Sequence, residues 1–135
     1  MITGIVNSYS EATVQSPTYD VQGQVQTILT VVDTGFDGAM TLPASMIQSL
    51  GLPFVRSSRT LLADGRESLF DIHEALVIWG GLPRRVLVDT AETDPLLGMA
   101  LLEDYELRVQ VRSGGVFITA LPNIVKIPRV ETRGL

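Results

Sequence analysis

The chain has 135 residues, enough for one domain with one hydrophobic core, and its 45% hydrophobic and 19% charged residues fit a globular protein. A formal net charge of −5, with scattered cations, argues against nucleic acid as a partner, because phosphate binding needs a basic face. The lack of cysteine excludes disulfides, thiolate catalysis and Cys-ligated metal, and the single histidine, His73, provides no pair for a zinc site.

The lone histidine lies in a strand-like stretch, residues 70–75, and reads as a satisfied surface or edge residue. No Gly-x-Ser-x-Gly elbow accompanies it, so a serine triad has no support. The adjacent Arg84 and Arg85 read as a solvated turn. No apolar run approaches the roughly 20 residues that span a bilayer, and the N-terminus lacks a basic segment followed by a long apolar one. A cytoplasmic protein without a membrane partner is expected.

Alternation dominates the chain, which predicts strands. Residues 11–15 alternate, and residues 17–23 carry turn residues that connect them to the β-branched run Val25–Val32. That run ends in Val31 and Val32, a pair expected to be buried on both faces. A sharp loop over 33–38 follows. Pro43 and Gly51 then bracket a helix of about two turns, with Met46, Ile47 and Leu50 facing inward. Asp64-Gly65 joins strand-like runs at 59–63 and 66–70, a strong hairpin signal. Strands are predicted at 75–79, closed by Gly80-Gly81, and at 85–89. An apolar segment at 94–102 begins at a turn, and a hairpin pairs 107–111 with 115–119. The expected domain is 1–120, all-β and closed or nearly closed as a barrel with one or two short helices. Residues 121–135 read as a tail, disordered or used as an interface strand.

The chemistry-bearing segment is Asp33-Thr34-Gly35, which follows two apolar residues at the end of a strand expected to be buried. A carboxylate there is costly without compensating hydrogen bonds. Gly35 lets the loop turn sharply and frees its N–H to meet the carboxylate, and the Thr34 hydroxyl can lock the loop. By itself the triplet reads more readily as a plain turn. A second element, Leu96-Leu97-Gly98-Met99, is an apolar strand end whose glycine permits close backbone approach beside such a loop. The Asp64-Gly65 hairpin between the two is placed to cover the loop as a flap.

This order of Asp-Thr-Gly loop, flap hairpin and Leu-Leu-Gly with a helix resembles the retropepsin-like aspartic proteases, the single-domain homodimeric members of the pepsin clan. The bacterial members with Asp-Thr-Gly-Phe are the nearest in pattern: Asp33-Thr34-Gly35-Phe36-Asp37-Gly38, Leu42-Pro43, Leu50-Gly51-Leu52, Ala63-Asp64-Gly65 and Leu96-Leu97-Gly98-Met99 all match. The resemblance spans roughly residues 1–119. It implies a closed retropepsin-like barrel and an aspartic endopeptidase acting on a peptide or an unfolded protein segment, with itself as partner and no metal or organic cofactor. Asp33 would supply one catalytic carboxylate per subunit, Thr34 would interlock with its counterpart across the dimer axis, and Gly35 would offer backbone. Phe36, Asp37 and the flap residues Leu62, Ala63, Asp64 and Gly65 would contact substrate, with Leu97 and Gly98 supporting the site. The interleaved chain ends of that family make residues 2–6 and 124–130 candidate interface strands. Three departures stand out. Phe36 occupies a position that is small in the retroviral enzymes, Met99 stands where they place an arginine that pairs with an acid, and the flap tip has fewer glycines. Phe36 beside the dyad motivates an alternative, a catalytically silent module that keeps the fold for dimerisation or peptide binding.

Overall fold

The computed structural model describes residues 1–122. Its strands are β1 (Ile2–Val6), β2 (Ala12–Tyr19), β3 (Val25–Val32) and β4 (Met40–Leu42), followed by helix α1 (Ala44–Leu50). Then come β5 (Phe54–Leu61), β6 (Glu67–Trp79), β7 (Leu82–Thr90), β8 (Leu96–Leu97), helix α2 (Met99–Leu102), β9 (Tyr105–Val109) and β10 (Val116–Ala120). Among the described residues these strands form a 10-stranded sheet in the order β5-β6-β7-β4-β8-β3-β2-β1-β10-β9. A further pairing of β6 with β2, Thr18 opposite Val77 and Tyr19 opposite Leu76, closes β2, β3, β8, β4, β7 and β6 into a ring. This is the expected all-β barrel. No helix among the described residues is long and apolar enough to cross a membrane.

The ring is filled from its inner face by Val14, Met40, Leu42, Val77, Val88, Leu97 and Leu101, all essentially inaccessible to solvent. Polar groups on the strand that delivers Asp33 are satisfied in place: the Thr30 hydroxyl donates to Val14 O at 2.9 Å and lies 3.0 Å from the Ser16 hydroxyl. Paired this way they avoid the penalty of an unsatisfied buried group.

Several boundaries differ from the sequence reading. Strand β2 runs through Pro17 to Tyr19 instead of turning at 17. Proline is tolerated there because, on the side away from β3, β2 pairs with β1 at 12–14 and with β6 only from 18, leaving an unpaired span between. Strand β6 continues unbroken through 71–74, because its first half pairs with β5 and its second with β7. In α1, Ile47 and Leu50 are buried as expected, but Met46 is 38% exposed, since a 7-residue helix can turn only one narrow stripe inward. Gly51 ends that helix in the left-handed region at φ 69°. Pro43 cannot cap the other end, and Glu92 does so from a distant loop, its Oε1 accepting the Ala44 N–H at 3.0 Å.

Residues 2–6 are committed within the chain, Ile2–Gly4 pairing with β10 and Gly4–Val6 with β2. The expected interface strand at 124–130, and the tail from 123 onward, lie outside the described residues. The two arginines at 84 and 85 belong to β7, not to a turn. Arg85 pairs with Glu74 at 2.7 Å, while Arg84 reaches α2. His73 is half-buried against Phe54, with its Nδ1 buried and unpaired, so it is not the satisfied surface residue expected.

Candidate active site

Strand β8 is only two residues long, yet it sits between β3, with which it is parallel, and β4, with which it is antiparallel. Its shortness is offset by bonds from outside the ladder. The Val31 N–H donates to Pro95 O at 2.8 Å and the Leu96 N–H to the Thr41 hydroxyl at 3.1 Å. The strand ends at Leu97, beside the end of β3, and so brings Asp33 and Gly98 together from distant parts of the sequence.

The loop that starts at Asp33 is fastened along its length to the segment that starts at Leu97. The Asp33 N–H donates to Leu97 O at 2.9 Å, the Gly98 N–H to Ala39 O at 2.9 Å, the Met99 N–H to Phe36 O at 2.8 Å and the Ala100 N–H to Gly38 O at 3.1 Å. The Asp33 carboxylate is half-buried and accepts the Gly35 N–H at 2.9 Å. That bond fixes the carboxylate's direction. Thr34 and Gly35 are exposed beside it.

Phe36 is half-buried, and its ring folds over Gly38 and Gly98. A Cβ at Gly38 would stand 2.5 Å from Phe36 Cζ, and one at Gly98 would stand 2.5 Å from Phe36 Cδ2. The two glycines are therefore the space the ring occupies, which accounts for a large residue after Asp-Thr-Gly in this sequence. Met99, at the position of the retroviral arginine, is 47% exposed.

Phe36 and Asp37 line a cleft of about 890 Å³ whose other walls are β5 and β6 on one side and residues 89–92 on the other. Asp33 is not among its lining residues. The hairpin contributes through its stems, notably Ser57, Arg59, Leu69 and Asp71, and not through its tip. Leu62, Ala63, Asp64 and Gly65 form an exposed turn closed by Leu62 N–H to Arg66 O at 2.7 Å, with Gly65 at φ 85°. Asp64 braces that turn through Arg66 at 2.6 Å. Both partners are exposed, so the pair contributes little stability. The structure thus unites Asp33, Thr34, Gly35, Phe36 and Asp37 with Leu97 and Gly98, and holds the tip residues apart from them.

The sequence reading missed Asp89, in the cleft wall. Burial, then the charge of nearby Asp37, raises its carboxyl above the ordinary aspartate value, and Arg56 opposes the shift. Val88-Asp89-Thr90 repeats the apolar-Asp-Thr pattern of Val32-Asp33-Thr34, a signal that was present. Because the folded state holds this proton more tightly than the unfolded chain, stability falls as pH rises from the ordinary value through the raised one. Asp89→Asn is therefore expected to raise the urea midpoint at neutral pH and to leave it unchanged below about pH 3, where the aspartate is neutral in both states. A midpoint at neutral pH no higher than that of the native protein would contradict this. Among the described residues no group of His, Asp and Glu is arranged to hold a metal ion.

No protein-family model and no curated protein matches the sequence. Among solved structures the chain is similar to a retropepsin-like aspartic protease from Rickettsia conorii, at 21% identity and a TM-score of 0.54, over 88% of this chain and 92% of that one. The barrel, with its loop after β3 fastened to Gly98, has the fold of a retropepsin-like aspartic protease.

Proposed function

We propose that the chain is an aspartic endopeptidase whose active site is completed by a second copy of itself, so that two Asp33 carboxylates face each other across a two-fold axis. The observation that carries this reading is the loop itself. Asp33 leaves β3 with its carboxylate set by Gly35, and its backbone is held by the segment from Leu97 to Ala100, in a fold shared with such a protease. The chain has a single Asp-Thr-Gly, so a dyad needs two chains.

Two carboxylates about 3 Å apart cannot both ionise cheaply and share one proton, a behaviour for which aspartic proteases are the standard example. The ionised member takes a proton from water as the water attacks the peptide carbonyl, and the protonated member donates to the carbonyl oxygen. The pair titrates as a unit. In this reading Thr34 meets its counterpart near the axis, and Phe36 and Asp37 contact substrate from the cleft floor. Leu62, Ala63, Asp64 and Gly65 close over the substrate when the hairpin moves. Leu61 and Leu69, about 70% exposed on that hairpin, support contact with a further chain. An extended peptide would bind beneath it by backbone pairing. The reaction uses no metal or organic cofactor.

Incubation with denatured casein across the pH range tests the reading. Cleavage is expected to be fastest at acidic to mildly acidic pH, where the shared proton is retained. Absence of cleavage at every pH by a protein that sediments as a dimer, or a rate still rising above about pH 8, would contradict it.

A further inference from the structure

Helix α2 is a single turn of four residues, with no side-chain cap at its start and a C-cap, Glu103, in extended conformation. A turn this short cannot sustain itself, since helix nucleation is unfavourable and its terminal carbonyls lack partners. Yet its first amides hold the Asp33 loop, through Met99 N–H to Phe36 O and Ala100 N–H to Gly38 O. Burial of Leu101 and Leu102 anchors the apolar side of α2, but its carbonyl end still needs partners. In the retroviral pattern a helix arginine ties this region to an acid of the loop, and here that position is Met99.

Arg84 supplies the missing tie from another element. It lies on β7 in the same alternating row as the buried Val86 and Val88, and is itself half-buried. Its guanidinium spans the end of α2, donating from Nη2 to Ala100 O at 3.0 Å and from Nη1 to Leu101 O at 3.4 Å. A planar fork can meet two adjacent carbonyls at once, which a lysine ammonium cannot do with the same geometry. Ala100 is therefore held from both sides, its carbonyl by Arg84 and its amide by Gly38.

We infer that Arg84 is a positioning residue for the Asp33 loop, fixing α2 from its carbonyl end so that α2 can fix Phe36 and Gly38. Its catalytic consequence rests on the function proposed above, whereas its structural consequence does not. Amide hydrogen exchange and steady-state kinetics on Arg84→Met, Arg84→Lys and, as a control, Arg85→Met separate the two. In Arg84→Met the amides of Met99, Ala100 and Gly35 are expected to exchange about tenfold faster, while the β2–β3 ladder keeps its protection. Arg84→Lys should fall between this and the native protein, and Arg85→Met should leave the loop amides unchanged. With denatured casein as probe, kcat should fall about tenfold in Arg84→Met with KM unchanged, because the loop is misplaced after substrate has bound.

Native exchange rates at the loop amides in Arg84→Met overturn the inference, as does uniform acceleration across the barrel, which would mean only a less stable protein. Should Arg84→Met fail to fold, the same two results in Arg84→Lys overturn it. Faster loop exchange with unchanged kcat overturns the positioning role. Faster loop exchange in a protein whose native form cleaves nothing supports the clamp and defeats the peptidase reading instead.

Discussion

Asp33→Asn protein is expected to fold, to pair, and to lose peptide hydrolysis by at least about a thousandfold, because an amide can neither take a proton from water nor share one with its counterpart. The fold should survive because the substitution preserves shape and retains an oxygen that can accept the Gly35 N–H. The dimer should be at least as stable as the native one, since the repulsion that forces two carboxylates to share a proton is gone. Mixing native and Asp33→Asn subunits sharpens the test. If each site needs an aspartate from both chains, an equal mixture that has exchanged freely keeps only about a quarter of the native activity per total protein, the share of native–native pairs. Half the native activity would mean that each chain works alone.

Gly98→Ala should do the greatest structural damage of any single methyl group added at the site. A Cβ there would collide with Gly38 O and stand 2.5 Å from Phe36 Cδ2 and 2.7 Å from Phe36 O. Two of these neighbours are backbone atoms in the Asp33 loop, and they cannot swing aside as a side chain could. The expected cost is about 3 kcal/mol, at the upper end for overpacking a close-packed site. The melting temperature should accordingly fall by about 10 °C. Gly65→Ala is the contrast. It meets nothing within 4 Å, and only its φ of 85° is unfavourable, so its cost should be about 1 kcal/mol. Equal melting temperatures for the two variants would show that the loop and the Leu97–Ala100 segment are not as closely apposed as the hydrogen bonds between them indicate.

The parts of the fold visible in the sequence are those written by local rules. Val25–Val32 is a strand because β-branched residues fill it, α1 is bounded by Pro43 and Gly51, and the hairpins turn at Asp64-Gly65 and Gly80-Gly81, where positive φ is required. The Asp33 loop was legible for the same reason, as a carboxylate and a glycine placed at the end of an apolar strand. What escaped depends on partners distant in sequence. Polar Asp71, His73 and Glu74 interrupt the alternation of β6 just where it passes from hairpin to barrel wall, so one long strand reads as two. A helix is expected after Gly98, but α2 is too short to show a period, and what holds it was not legible. Arg84 looks like a surface charge until α2 is folded against it, and Asp89 gains its neighbour Asp37 only when β7 pairs with β4. Phe36 reads in sequence only as a large residue beside Asp-Thr-Gly; its seat over Gly38 and Gly98 appears only in the fold.

The central claim is that Asp33 works as a pair. The separation of the two Asp33 carboxylates across the two-fold axis, in a crystal of the protein grown at mildly acidic pH, tests it most directly. The account predicts oxygen atoms within hydrogen-bond reach, about 3 Å, with the hairpins arched over them. A dimer whose Asp33 carboxylates are too far apart for a single water to bridge, or a protein that remains monomeric at the concentrations where it acts, would contradict it.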